Sequence, residues 1–132
     1  MITKEITLCS RQINIGYCYA TEIAYKDLTD ENIIDYVKEA IDCVQQERDP
    51  DPKKTILAII ACMMAYYNSR GEEAPLKSED LMNEAKPAEI GMAIFTIINM
   101  RSEFYRVPKD EPKDPDPDGS PVGNRKGRKK NS

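Results

Sequence analysis

Pro52-Lys53-Lys54-Thr55-Ile56-Leu57-Ala58-Ile59-Ile60-Ala61-Cys62-Met63-Met64-Ala65-Tyr66-Tyr67-Asn68-Ser69-Arg70-Gly71 is the stretch on which the fold turns. Asp51 stands before it as a helix cap, and Pro52 suits a first helical position, where its missing N–H costs nothing. Gly71 suits the left-handed residue that closes a helix. The punctuation predicts a helix over Lys53–Arg70. From Ile56 to Tyr67 its side chains are apolar on every side. That run is too short for a bilayer, which needs about 20 residues. A helix with no polar face must be surrounded, by its own domain or by another copy.

The flanks supply what can surround it. Toward the N-terminus, Asp49-Pro50-Asp51-Pro52 breaks the chain after an amphipathic segment. There Ile33, Ile34, Val37, Ala40, Ile41 and Val44 repeat at helical steps, against Asp35, Lys38, Glu39 and Asp42. Thr29 reads as its N-cap, with Asp30 and Glu31 in the first turn and Leu28 and Ile33 spaced as a hydrophobic staple. Tyr17–Tyr25 is helix-compatible, with Tyr17, Ala20, Ala24 and Tyr25 on one face. Lys4–Leu8 and Gln12–Ile15 alternate around Cys9-Ser10-Arg11, which predicts a short β-hairpin despite a turn without glycine. Toward the C-terminus, Ser78 reads as the cap of a short helix through Glu84. Lys86-Pro87 then restarts a helix whose buried stripe is Ile90, Ala93, Ile94, Ile97, Ile98 and Phe104. Gly91 costs that helix about 1 kcal/mol against alanine, which close approach of a neighbouring helix would explain.

After Val107 the character changes. Residues 108–132 hold five of the nine prolines and no apolar side chain except Val122. Such a segment buries too little to offset its ordering entropy. The expected architecture is mainly α: one compact helical domain of four to five helices over residues 1–107, with a short N-terminal β-hairpin and a disordered tail over 108–132.

Charge follows the same division. Residues 1–107 carry 12 Lys/Arg and 18 Asp/Glu, whereas 108–132 carry 7 and 5. An acidic body argues against a dedicated nucleic-acid surface. Arg125, Lys126, Arg128, Lys129 and Lys130 gather at the extreme end, where a charge run is ordinarily a solvated tail. Met1–Ser10 lacks the apolar stretch of a signal peptide. The expectation is therefore a soluble, cytoplasmic protein with no membrane contact.

Histidine is absent, which closes Ser-His, Cys-His and His-metal schemes. Neither G-x-x-x-x-G-K-[ST] nor G-x-G-x-x-G occurs. Cys9, Cys18, Cys43 and Cys62 form no C-x-x-C and read as small core residues in a reducing compartment, with a metal or redox role as the lesser alternative. No catalytic, cofactor or metal site is expected. Met63, Tyr66, Tyr67, Phe104 and Tyr105 remain as candidate partner-binding residues, because rings at the edge of a core often become contact surface. Plain core packing is the alternative for all five.

The order of these features resembles a known family. The hairpin over Ile6–Ile15 leads into Tyr17-Cys18-Tyr19-Ala20-Thr21-Glu22-Ile23-Ala24-Tyr25-Lys26-Asp27, and an amphipathic helix follows. Then come the apolar helix with Asn68-Ser69-Arg70-Gly71-Glu72-Glu73, Glu79-Asp80-Leu81-Met82, Pro87-Ala88-Glu89-Ile90-Gly91 and Phe104-Tyr105-Arg106-Val107-Pro108. Over about residues 4–108 this is similar to the tail assembly chaperones of long-tailed bacteriophages, in the version carried by phages and prophages of Bacteroides-type gut bacteria. The resemblance implies a non-enzymatic assembly factor that coats the long helical tape measure protein before the tail tube forms. It also implies self-association into rings or spirals, and in many members a second, longer form made by ribosomal frameshifting. Lys129-Lys130-Asn131 is compatible with a slippery adenine run. The competing expectation is a small helical nucleic-acid-binding regulator that uses the basic end.

Overall fold

The computed structural model describes residues 1–106. The tail expected over 108–132, and the boundary at 107, lie outside the described residues. The order is β1 (Ile2–Leu8), β2 (Arg11–Tyr17), α1 (Tyr19–Thr29), α2 (Ile33–Gln45), α3 (Pro52–Ser69), α4 (Ser78–Glu84) and α5 (Pro87–Phe104). This is the expected mainly helical fold with an N-terminal hairpin. No helix among the described residues is long and apolar enough to cross a membrane.

α3 is the axis of the domain. The six consecutive residues Ala58–Met63 are all buried, which one helix face cannot do alone. β2 and α1 pack along it, and α2, α4 and α5 complete the surround. The all-apolar helix is thus enclosed by its own domain. Full burial of a side chain such as Ile59 or Met63 favours folding by about 1.5–3 kcal/mol. The ends are built as the punctuation predicts. Asp51 Oδ2 accepts from the Lys54 N–H at 3.0 Å. Gly71 takes φ 72°, and its N–H and that of Glu72 donate back to Asn68 and Tyr67, which is a Schellman closure.

The hairpin pairs Ile6 with Ile13 and Leu8 with Arg11. Its inner face (Ile6, Leu8, Ile13, Ile15, Tyr17) is buried. The turn is Cys9-Ser10 alone, both at positive φ (52° and 61°), as a two-residue primed turn requires. Non-glycine residues there are strained. The compensation comes from α5: the Cys9 and Ser10 N–H groups each donate to the Glu89 carboxylate at 2.9 Å. Glu89 also accepts from the Lys86 N–H, so one side chain caps α5 and clamps the turn. On the opposite edge the Asn14 N–H donates to the Tyr67 hydroxyl, which occupies an unpaired strand donor.

Five local expectations are corrected. Thr29 is the last residue of α1, not the cap of α2, because its hydroxyl turns back to donate to the Tyr25 carbonyl at 2.8 Å. Asp30, at φ 64°, ends α1, and Asn32 precedes α2. With that shift Leu28 stays exposed and the staple with Ile33 does not form. Ser78 is the first residue of α4; Lys77 is the cap position, and its N–H donates to Asp80 at 2.8 Å. The buried face of α2 is rotated toward Tyr36 and Cys43, which leaves Ile41 and Val44 partly exposed. Finally, nothing lies within 4 Å of where a Gly91 Cβ would stand, so no neighbouring helix explains that glycine.

Candidate partner-binding surfaces

The five residues singled out from the sequence fall in three places. Met63 is fully buried in α3 and presents no surface. Tyr66 and Tyr67 form an edge-to-face pair at the end of α3, with ring centroids 4.9 Å apart. Both are half-buried: Arg70 lies over the Tyr66 ring at 5.1 Å, and the Tyr67 hydroxyl is held by the Asn14 N–H. This pair has a structural task at the edge of β2.

Phe104 and Tyr105 belong to a larger aromatic group. Phe104 packs against Tyr17 (5.6 Å), Tyr19 (5.2 Å) and Tyr105 (5.0 Å). Glu22 of α1 ties the group together, since its Oε2 accepts from the Tyr17 hydroxyl at 2.9 Å and the Tyr105 hydroxyl at 2.6 Å. Burial first, and then the Glu22 carboxylate, push the Tyr17 hydroxyl far above its ordinary pKa. For the exposed Tyr105 hydroxyl the bond to Glu22 is the main cause of a rise. Both stay protonated donors in neutral solution. Beside them Tyr19 and Ile23 stand 64% and 62% exposed, an apolar bench on the outer face of α1.

A second surface was not legible as such. α3, α4 and α5 leave an open groove of about 370 Å³. Its walls come from Pro50, Pro52, Ile56, Met82, Ala85 and Ile90, and Gly91 opens onto it. Met82 is 59% exposed at the rim. The groove forms because the Asp49–Pro52 break, the short α4 and the Lys86-Pro87 restart converge there, the first bringing Pro50 and Pro52, the second Leu81 and Met82, the third Pro87. Its chemistry is apolar recognition, with no titratable group inside except Asp49 at the margin. Gly91 was the available signal, as a helical glycine with no internal contact to explain it.

Further apolar surface lies on α5, where Met92 and Phe95 are exposed one step off the buried stripe. Of the cysteines, Cys43 and Cys62 are buried and Cys9 and Cys18 half-buried, all as free thiols. Burial pushes the Cys62 thiol far above its ordinary pKa, which makes it a poor nucleophile. Among the described residues no group of three His, Cys, Asp or Glu side chains comes together that could hold a metal ion. No family model matches the chain, and no curated protein or solved structure matches it either.

Proposed function

We propose that this protein is a non-enzymatic assembly factor, a phage tail assembly chaperone that captures apolar helical segments of the tape measure protein and keeps them in solution. The observation that carries the reading is the open apolar groove between α3, α4 and α5, onto which Gly91 opens and in which no side chain of the described fold is seated. Its size falls in the range of pockets that bury a few apolar groups. A ridge of a helix can lie in such a groove with its apolar stripe down. An acidic body around apolar surface suits a protein that must carry greasy cargo and remain dispersed.

The test is co-expression with the long coiled-coil-rich protein encoded nearest to its gene, followed by co-purification. Capture by the wild type and its loss in Met82→Asp support the proposal. Absence of such a neighbouring gene, or recovery of the partner equally well with Met82→Asp, refutes it. The nucleic-acid reading separates by salt, because phosphate binding weakens steeply as salt rises whereas apolar capture does not.

A further inference from the structure

The fold covers one edge of the hairpin and leaves the other open. The sheet has two strands, so each has one outer edge. Leu8 and Arg11 close the two-residue turn and exchange ladder bonds. The alternation of an antiparallel pair then turns the backbone groups of Thr3, Glu5 and Thr7 outward from β1, and those of Gln12, Asn14 and Gly16 outward from β2. The bonds made by the surrounding helices agree with that parity. On the outer edge of β2 the Asn14 N–H donates to the Tyr67 hydroxyl, and the Gly16 carbonyl accepts from the Thr21 hydroxyl at 2.9 Å. On the outer edge of β1 the Cys9 N–H, at the tip, is taken by Glu89. Behind the tip, the outward N–H and C=O groups of Thr7, Glu5 and Thr3 bond to nothing among the described residues. β1 is regular over seven residues, with neither proline nor bulge to blunt that edge.

An open groove of about 360 Å³ lies beside it, between Glu5 and Thr7 of β1 and Ala88, Met92 and Thr96 of α5. The three α5 residues follow at four-residue steps, a row about 12 Å long, or roughly four residues of strand. Met92, 65% exposed, is its apolar centre. Glu5 shares the outer face of the hairpin with Thr3, Thr7 and Asn14, none of them charged, and the ion pair among the described residues is Lys54–Glu31. We propose that the outer edge of β1 accepts an extended segment of a partner protein as a third, antiparallel strand, with a Lys or Arg opposite Glu5 and apolar side chains on either side of it. The incoming backbone supplies a donor and an acceptor to each of Thr3, Glu5 and Thr7. Because strand side chains alternate, a basic residue opposite Glu5 turns its two neighbours toward the Met92 row. A helix cannot fill this edge, since its backbone groups are bonded internally, so the occupant differs from that of the groove between α3, α4 and α5. A second copy of β1 fits poorly. Antiparallel self-pairing centred on Glu5 or on Lys4 sets like charges directly opposite. Centred on Ile6, it brings in Cys9, whose N–H Glu89 already holds. The chain's own C-terminal segment fits no better, because Pro108–Pro121 hold five prolines and beyond them stands one β-branched residue, Val122.

The probe is a capped peptide, Thr-Val-Thr-Val-Lys-Val-Thr-Val-Thr, added to the isotope-labelled full chain, with amide solvent exchange followed by NMR. The expected result is that exchange at Glu5 and Thr7 slows by about tenfold or more, because their N–H groups become bonded. Replacing the peptide's Lys by Glu weakens binding by about tenfold at low salt, and Glu5→Lys reverses that order. N-methylation of the Lys amide and its two nearest Thr amides, which face β1, abolishes binding, whereas N-methylation of three Val amides, which face away, leaves it. Thr7→Pro removes one outward donor without touching the β1–β2 ladder and abolishes binding too; circular dichroism and the urea midpoint establish that it is folded. If it does not fold, Glu5→Lys and the methylated peptides decide. No slowing at Glu5 and Thr7, equal effects of the two methylation patterns, or an order that Glu5→Lys leaves unreversed overturns the proposal. So does slowing already present without peptide: if it grows with chain concentration the occupant is a second copy, and if it does not, the occupant is the C-terminal segment. Capture of an apolar helix, lost with Met82→Asp, is a separate readout, and the chaperone reading stands or falls apart from this one.

Discussion

Replacing Gly91 by alanine should stabilise the protein, and replacing it by leucine should blind it to its proposed client. Gly91 is the fifth residue of α5, inside the hydrogen-bonded helix and away from the frayed ends. Its φ is not in the left-handed region, so its backbone suits any residue. A Cβ at this position meets nothing within 4 Å. No clash opposes the gain in helix propensity, which is about 0.8–1.0 kcal/mol for Gly→Ala. For a domain of this size that corresponds to a rise in Tm of about 4–8 °C. Urea denaturation followed by circular dichroism should show a higher midpoint with an unchanged m-value. Gly91→Leu should keep most of the gain, since leucine is nearly as good a helix former, while its side chain projects into the groove between α3, α4 and α5. Capture of the client should fall at least tenfold, the scale of about 1.4 kcal/mol. Stability and binding thus move in opposite directions. A destabilised Gly91→Ala would refute the open-space reasoning, and undiminished capture by Gly91→Leu would refute the groove as the client's seat.

Three further outcomes follow from the interior and the hairpin tip. Thr55→Val should cost about 1–3 kcal/mol, because it strands the buried Tyr36 hydroxyl that donates to Thr55 Oγ1 at 2.7 Å; adding Tyr36→Phe should restore most of the loss, as read by urea midpoints. Met63→Ala should cost about 2–5 kcal/mol yet leave client affinity of the folded fraction unchanged, because Met63 is fully buried; a loss of affinity without a loss of stability would contradict its place in the core. The Glu89 carboxyl is held below its ordinary value of 4.5, first by the Lys86 N–H and then by those of Ser10 and Cys9. Its contribution is therefore fully present above pH 4.5 and lost as the pH falls through the depressed value. Acid unfolding of the wild type should steepen there, and Glu89→Gln should flatten that limb.

The sequence showed most clearly what is decided locally. Asp51, Pro52 and Gly71 mark the ends of α3 through bonds reaching only three to five residues, so the residue types alone disclose them. Thr29 misled for an equally physical reason. Thr29, Asp30 and Asn32 can all begin a helix, and Asp30 instead takes the left-handed conformation that ends one. Which of them acts is settled by how Ile33 and Tyr36 must face α3, a tertiary matter. The turn was expected over Cys9-Ser10-Arg11 without a glycine to announce it, and the structure narrows it to Cys9-Ser10, with Arg11 already in β2. What stabilises it is Glu89, eighty residues away, and no local pattern discloses that partner.

The same distinction explains the candidate sites. Phe104 and Tyr105 were recognisable as rings at a helix end, and they do meet Tyr17 and Tyr19 there. Met63 was not separable from the surface by pattern, because a helix that is apolar all round carries no information about which side faces out. Arg101 looked like an ordinary basic residue in the last turn of α5. Only the approach of α1 and α2 places it in a small recess with Glu22, Asn32 and Tyr105. The groove has a simpler origin. α4 has seven residues, about two turns, and Lys86-Pro87 ends its direction before it can cover Ile56 and Ile90. The hairpin closes the core along β2 and β1, and among the described residues no comparable element spans α3 and α5 on this side. A longer α4 would seal the groove and gain burial. Its brevity leaves apolar surface uncovered beside a central helix whose stretch Ala58–Met63 is fully buried, and that selective exposure is what the proposed chaperone reading draws on.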